Sequence, residues 1–499
     1  MAGQDVPELS SDADDDEALR YAIALSLQDE QGAPQDAPDK SKVTEISEDK
    51  KSTGDLPGAN TTTFGSLFRD GAVKKTWAYG YPRTEDDIKI EEVLQRDQLE
   101  LAVLSSFQWD DEWLMSKVDM LRTRLLLVAY AADQDQKTAM QANAPPNVRF
   151  CFPPMSGRGA MHSKLQLLKY PGSLRIVVPT GNLVSYDWGE TGVMENVGLI
   201  SSPGLHLLMV FLIDLPLLSE TSHKNREQQQ QQQPTGFFTE LSRFLRAAGI
   251  DDNMIQSLSR YDFTRTANLG FVYTIVVGYC GLGDTVAVLG LATSTGAVDV
   301  DIVAASLGSI NRDLIGAIYN ACQGDNGMKE YNERTSRKRG QKMPADVLPQ
   351  QLQDHVRIYF PAETTVAKSR GGRGAAGTIC VHARWWRSPS FPTGLVRDCE
   401  NVRDGLLLHS KMMFVRPSSS SSSSSFFSAD PGPTSDDGAG GGSGTNSASS
   451  GGKKAWAYVG SANLSESAWT RLDEHVYKRW CAGAGACADE SPWKTIWAG

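Results

Sequence analysis

The sequence predicts an α/β protein built as two related halves around one shared site, and two observations carry that expectation. His162-Ser-Lys164 and His409-Ser-Lys411 are the same tripeptide written twice. Downstream of each lies a short run rich in β-branched or aromatic residues, Leu174-Arg-Ile-Val-Val before Asn182 and Trp456-Ala-Tyr-Val before Asn463. Each asparagine opens an Asn-Leu pair with a tryptophan at the same offset, Trp188 and Trp469. Repetition of this kind points to two half-sites facing each other, with the runs as strands that stop where the asparagines stand. Residues i and i+2 share one face of a strand, so each short segment brings its histidine and lysine to the same point.

Taken in chain order, residues 1–60 are an acidic head with 15 Asp and Glu against 5 Lys and Arg, which accounts for nearly all of the net charge of -11. The remainder is close to neutral and leaves room for a basic groove. Within the head, residues 16–30 place Leu19, Ala22, Ile23 and Ser26 at helical spacing between acidic flanks, and acidic residues at a helix start favour its dipole. The pattern reads as a short amphipathic helix and resembles a ubiquitin-interacting motif, whose apolar stripe binds ubiquitin. Residues 31–60 are polar and read as a disordered linker. Residues 61–245 form the expected first domain, with Gln228–Gln233 as a low-complexity loop. Residues 246–499 form the second, interrupted by a Ser/Gly insertion over 418–452 that a surface loop accommodates at little closure cost. Arg334 to Lys342 is a basic cluster, read first as a solvated loop with a nuclear-import signal or DNA contact as the alternative, and Trp385-Trp386 reads equally as core or as a base-stacking pair. At 499 residues there is ample chain for two cores.

A doubled set of histidine, lysine and asparagine suits phosphodiester cleavage. That reaction needs a nucleophile, an acid for the leaving oxygen and fixed donors for the phosphoryl oxygens. One imidazole attacks, the other donates the proton, and Lys164, Lys411, Asn182 and Asn463 hold the oxygens. The two motifs are nearly symmetric, so the residues alone leave open which histidine attacks. No metal or other cofactor is expected.

The paired pattern resembles the phospholipase D superfamily, whose signature also has an aspartate five positions after the lysine. This chain carries Lys169 and Arg416 there. That loss, with the asparagines kept, resembles the tyrosyl-DNA phosphodiesterase branch and its fungal members, as do Glu91-Glu-Val-Leu-Gln, the stretch Leu101 to Trp109, Gly181 to Trp188 and Gly405-Leu-Leu-Leu-His409. The resemblance runs with breaks from Phe64 to Trp469. It implies two α-β-α sandwich domains related by a pseudo-two-fold axis. It also implies a DNA-repair hydrolase that removes tyrosine and related adducts, such as those left by topoisomerase I, from DNA 3′ ends. His162 takes the nucleophile's position and His409 that of the general acid and base. Ser306, in Ala305-Ser-Leu-Gly308, corresponds to a loop that contacts the DNA backbone, and Glu195 lies near where the family keeps a polar partner for the second histidine.

Two stretches depart from the family. Gly198 to Leu208 is an apolar insertion between Met194-Glu-Asn and the later Phe211-Leu-Ile-Asp-Leu-Pro. After Asn463 the family has a glutamate in an aromatic-rich strand that orients the nucleophile, whereas Trp480 to Glu490 does not match that strand and Glu474 and Glu490 lack its context. A catalytically impaired homologue that binds ubiquitin and DNA is therefore an alternative, and a phospholipid phosphodiesterase a more distant one. The seven cysteines (151, 280, 322, 380, 399, 481 and 487) have no metal-ligand spacing and read as reduced thiols of a cytosolic or nuclear protein. No signal peptide is read, and the most apolar run, Leu205 to Leu218, is broken by Asp214 and Pro216 and reads as buried core or insertion rather than a membrane span. The expected partners are DNA, topoisomerase I–DNA adducts and ubiquitin, without a membrane, and the expected location is the nucleus.

Overall fold

The computed structural model describes residues 68–154, 161–195, 197–199, 206–208, 210–219, 234–273, 278–293, 297–336, 348–418 and 455–469. The acidic head with its ubiquitin-type pattern, the glutamine run, most of the basic cluster, nearly all of the Ser/Gly insertion and everything after Trp469 lie outside the described residues.

The first half supplies β1 (Ala72–Thr76), β2 (Asp87–Ile88), β3 (Leu101–Ser105), β4 (Arg124–Val128), β5 (Val148–Cys151), β6 (Gln166–Tyr170), β7 (Ser173–Pro179), β8 (Met194–Glu195), β9 (Val197–Leu199), β10 (His206–Leu208) and β11 (Val210–Pro216). The second supplies β12 (Val298–Ala304), β13 (Ser306–Leu307), β14 (Val356–Tyr359), β15 (Cys380–Val381), β16 (Val396–Arg397), β17 (Leu407–Leu408), β18 (Lys411–Pro417) and β19 (Trp456–Val459). They form an eight-stranded sheet in the order β2-β1-β11-β7-β6-β3-β4-β5 and a five-stranded sheet in the order β16-β14-β12-β18-β19. The run β7-β6-β3-β4-β5 is repeated by β19-β18-β12-β14-β16, with every parallel and antiparallel pairing matched. Register matches too: Leu101 faces Lys169 as Asp299 faces Arg416, and Leu104 faces Gln166 as Ile302 faces Met413. The duplication seen at the two tripeptides therefore extends through both sheet cores.

Alternation along the strands builds the layers. On β7, Leu174, Ile176 and Val178 join one core and Val177 the opposite one, so this inner strand is apolar on both faces, as a strand covered on both sides must be. The helix Gly236–Ala247 covers the first face through Phe237, Leu241, Phe244 and Leu245. Ile90–Leu94 and Asp111–Lys117 cover the second. In the second half, Gly278–Val288 and Arg312–Ala321 cover one face of the sheet and belong to the same core as the helix Gly236–Ala247. The crossovers from β3 to β4 and from β12 to β14 each begin on a capped helix: Asp110 accepts from the Trp113 N–H, and Asn311 from those of Asp313 and Leu314.

The second half of the apolar run Leu205 to Leu218 supplies strand β11, placed between β1 and β7 with Leu212, Ile213 and Leu215 fully enclosed. Asp214, which breaks that run in the sequence, forms a buried two-point pair with Arg175 at 2.7 and 2.9 Å. Arg175 also donates to the carbonyls of Glu92 and Val93 at the end of a helix, so both charges have partners. The insertion Gly198 to Leu208 contributes β9 and β10, a separate antiparallel pair outside both large sheets. Among the described residues no helix is long and apolar enough to cross a membrane.

Candidate active site

Each catalytic candidate stands at the end of a strand. His162 and Lys164 precede β6, Asn182 follows β7, His409 and Lys411 open β18, and Asn463 follows β19. The asparagines are held in matching cradles. Asn182 Oδ1 accepts from the Gln108 N–H at 3.3 Å and its Nδ2 donates to Gln108 Oε1 at 3.1 Å. Asn463 Oδ1 accepts from the Ser306 N–H at 3.2 Å. One residue further on, Trp109 bridges Leu183 and Leu307 bridges Leu464, both in parallel sense. Gln108 thus occupies in the first half the place that Ser306 occupies in the second. The tryptophans of the Asn-Leu motif are almost wholly buried and anchor these turns.

The two halves exchange a contact at the site itself. Nδ1 of His409 lies 2.9 and 2.8 Å from the two oxygens of Asp187, and Asp187 also accepts from the Asn182 N–H at 2.6 Å. Asp187 lies in the first half's Asn-Leu motif, yet its partner is the second half's histidine. Next to this contact, β17 pairs in parallel with β8. Lys411 Nζ donates to the carbonyls of His409 and Thr180, at 3.2 and 3.3 Å, again crossing between halves. Lys164 Nζ donates to the His162 carbonyl at 3.1 Å and lies 3.3 and 3.4 Å from the two ring nitrogens. The His162 ring packs on Phe107 at 5.0 Å between centroids.

Lys164, Lys411, His409, Asn182 and Asp187 are all buried. Among the described residues, two lysines and two imidazoles share this enclosure with one carboxylate, and their proton affinities respond. Burial first, then the charges of Lys164, Lys411 and His409, pushes the His162 pKa well below the usual histidine value. Burial likewise lowers Lys164, helped by Lys411. Burial takes Lys411 down to about 7, against the pull of Asp187. It takes His409 down to about 4, although Asp187 works in the opposite direction. For Asp187 burial is the largest influence and would raise it, but His409, the Asn182 N–H and Lys411 together hold the carboxyl low and charged. Among the described residues the enclosure is short of negative charge, a deficit that an anion of phosphate type would fill.

The sequence-derived candidates fall as follows. The two histidines, two lysines and two asparagines occupy equivalent strand ends, and the Asp187 and Thr180 contacts tie the halves together at His409 and Lys411. Ser306 enters through its backbone N–H on Asn463. Glu195 was the expected partner for His409, but the His409 Nδ1 contact is made by Asp187; Glu195 pairs at backbone level with Leu408, and its side chain is outside the described residues. Asp187 could have been found by aligning the two motifs: Asn182-Leu-Val-Ser-Tyr-Asp187-Trp against Asn463-Leu-Ser-Glu-Ser-Ala468-Trp sets an aspartate against an alanine. Lys169 and Arg416, at the positions of the missing aspartates, pair with Glu100 and with Asp299 and Asp301 on neighbouring strands. The adjacent tryptophans divide: Trp385 is core and Trp386 is exposed.

Residues 72–482 match the family model described as tyrosyl-DNA phosphodiesterase. Over 106 residues the chain is 33% identical to tyrosyl-DNA phosphodiesterase 1 of Arabidopsis thaliana, a match covering 21% of this chain and 17% of that protein. A crystal structure of a histidine-to-asparagine mutant of the yeast tyrosyl-DNA phosphodiesterase superposes with a TM-score of 0.50 at 16% identity, covering 70% of this chain and 81% of that one. The yeast protein without that mutation gives 0.49 at 15% identity over 69% and 80% of the two chains.

Proposed function

The chain belongs to the tyrosyl-DNA phosphodiesterase family, and we propose that it hydrolyses the bond between a DNA 3′-phosphate and a tyrosine, as left by a trapped topoisomerase I, together with related 3′ adducts. The observation that carries this reading is the cluster of His162, Lys164, His409 and Lys411, which among the described residues has one carboxylate for four basic groups. A phosphodiester anion fits that deficit, and the asparagine amides at the same strand ends add neutral donors for its oxygens.

In this reading the His162 imidazole, kept neutral by burial and by nearby cations, attacks phosphorus. A P–N bond forms, the P–O bond to tyrosine breaks, and His409 passes its proton to the departing phenolate. Water then attacks the phosphohistidine, His409 takes a proton from that water, and the P–N bond breaks to give a DNA 3′-phosphate and neutral His162. Asp187 holds Nδ1 of His409 and so leaves Nε2 for the proton transfers. The substrate's negative charge raises the His409 pKa toward the range in which it carries a proton. Lys164 and Lys411 supply the electrostatic stabilisation, so the reaction proceeds without a metal ion. The head, through Leu19, Ala22, Ile23 and Ser26, binds ubiquitin and brings the enzyme to ubiquitylated nuclear complexes.

Incubation with an oligonucleotide bearing 3′-phosphotyrosine, in EDTA, tests the reading. The wild type should release 3′-phosphate DNA, His162→Ala should release none, and His409→Asn should accumulate a covalent protein–DNA adduct. An inactive wild type would overturn the reaction assignment, and activity only with added metal would overturn the metal-free step.

A further inference from the structure

The two asparagine cradles differ in one side chain. In the second half Ser306 reaches the Asn463 amide through its backbone N–H. In the first half Gln108, which holds the same place, meets Asn182 with its backbone and with its own amide. The backbone contact decides how both amides face. An N–H can only donate, so the Asn182 atom 3.3 Å from the Gln108 N–H is Oδ1, and Nδ2 is turned to the other side. Nδ2 in turn can only donate, so the Gln108 atom 3.1 Å from it is Oε1. The Tyr186 hydroxyl adds a second donor to that same oxygen at 3.0 Å. One fixed N–H thus orients two amides, and Gln108 Nε2 is left pointing away from both partners, with no acceptor among the described residues.

Gln108 also stands next to the reacting groups. Phe107, the residue before it, packs on the His162 ring at 5.0 Å, and its ring centre lies 5.9 Å from Lys164 Nζ. Asn182 is 1% exposed whereas Gln108 is half-buried, so the open end of this relay is the glutamine. An amide whose oxygen is already held by two donors needs no reorganisation before its N–H groups meet a developing oxyanion. We propose that Gln108 is a further catalytic residue, donating from Nε2 to a non-bridging oxygen of the scissile phosphate while Asn182 and Tyr186 hold its amide in that sense. The proposal rests on the reading of the site as one for a DNA 3′-phosphodiester. Asn182 keeps its second Nδ2 hydrogen for the same group, so the first half offers the phosphoryl oxygens two side-chain amides, Asn182 and Gln108, and the second half offers Asn463.

Phosphate binding separates this role from turnover. Calorimetric titration of the full chain with inorganic phosphate should show Gln108→Met binding about tenfold more weakly than the wild type, because a donor to a charged oxygen is lost while size is kept. Gln108→Glu keeps an oxygen for Asn182 and Tyr186 and changes the far atom from donor to acceptor. It should bind phosphate more weakly still, with no loss of Tm. With a 3′-phosphotyrosyl oligonucleotide, Gln108→Met should lower kcat/KM by about a hundredfold, mostly through kcat. Asn182→Ala should cost less in the Gln108→Met background than in the wild type, since part of its effect passes through the glutamine. Phosphate affinity unchanged in both Gln108 variants would overturn the role, and so would an Asn182→Ala loss of equal size in the two backgrounds. A wild type that binds no phosphate would overturn it as well. A wild type whose phosphate binding depends on Gln108 but which releases no tyrosine would sink the reaction assignment and leave the amide's contact supported.

Discussion

The two half-sites share a frame and differ in what holds the imidazole. His409 is clamped by Asp187, a carboxylate sent across from the first half. At the equivalent position of the second half's motif stands Ala468, which has no carboxylate to return. Burial is the largest influence on the His162 ring, followed by the charges of Lys164, Lys411 and His409 and a backbone bond at Ser461. A duplicated site can thus divide its labour through one position. In the proposed reaction the imidazole beside a carboxylate holds and passes protons, while the one kept neutral by burial and nearby cations attacks. The asymmetry that the paired tripeptides do not display is written one residue before the tryptophan of each Asn-Leu motif, at Asp187 and Ala468.

Exchanging that position gives the largest expected effects. Asp187→Asn removes the charge that favours protonated His409, and kcat is expected to fall by about a hundredfold or more, with less effect on KM, because the interaction matters most in proton transfer. Ala468→Asp should give His162 a carboxylate neighbour and raise its pKa. The enzyme would then lose activity at the acid end first, and the acid limb of the kcat/KM profile would move to higher pH. A pH–rate profile unmoved by either substitution would show that the two histidines do not owe their difference to this pair.

Smaller effects are expected from the charge deficit that both halves share. Burial holds His409 at about 4, below its ordinary 6.5, and Lys411 at about 7, below its ordinary 10.5. Both groups bind protons more readily in the unfolded chain. Stability is thus highest above the unfolded values and declines as pH falls, from about 10.5 toward 7 through Lys411 and from about 6.5 toward 4 through His409. Inorganic phosphate should offset that loss by binding the folded state alone, so Tm should rise with phosphate, and more at pH 6 than at pH 9. Lys411→Met keeps the volume and removes the charge; Tm without phosphate should rise and the response to phosphate should largely vanish. A wild type whose Tm ignores phosphate at both pH values would contradict a site short of anions.

The sequence disclosed the site's composition well and its wiring poorly, for a physical reason. Histidine, lysine and asparagine mark strand ends, which are local features, and a repeat makes them visible. The Asp187–His409 contact joins residues 222 positions apart, and nothing in local spacing encodes it. The fold shows the same division. Strands β6, β7, β18 and β19 were legible from their runs, whereas the insertion after Gly198 concealed that Val210–Pro216 continues the first sheet. Lys169 and Arg416 were read as lost aspartates. In the structure both are surface partners of acidic residues on the adjoining strand, so positions that serve the site's signature in the wider superfamily serve the sheet here.

The finest contrast lies in the two anchoring tryptophans. Trp188 and Trp469 are equally buried, each 1% exposed, yet their indole N–H groups fare differently. Trp188 Nε1 donates to the Asn182 carbonyl at 3.0 Å, whereas Trp469 Nε1 has no acceptor among the described residues. Replacing either by phenylalanine removes similar apolar volume, so the packing losses should nearly cancel in the comparison. What remains is one hydrogen bond of about 1 kcal/mol lost at Trp188, against relief of a buried unpaired donor at Trp469. Denaturant unfolding should therefore show Trp188→Phe less stable than Trp469→Phe by about 1 to 3 kcal/mol. Equal losses would mean that the Trp469 N–H is satisfied in solution by a group such as a bound water, and that the two anchors are alike after all.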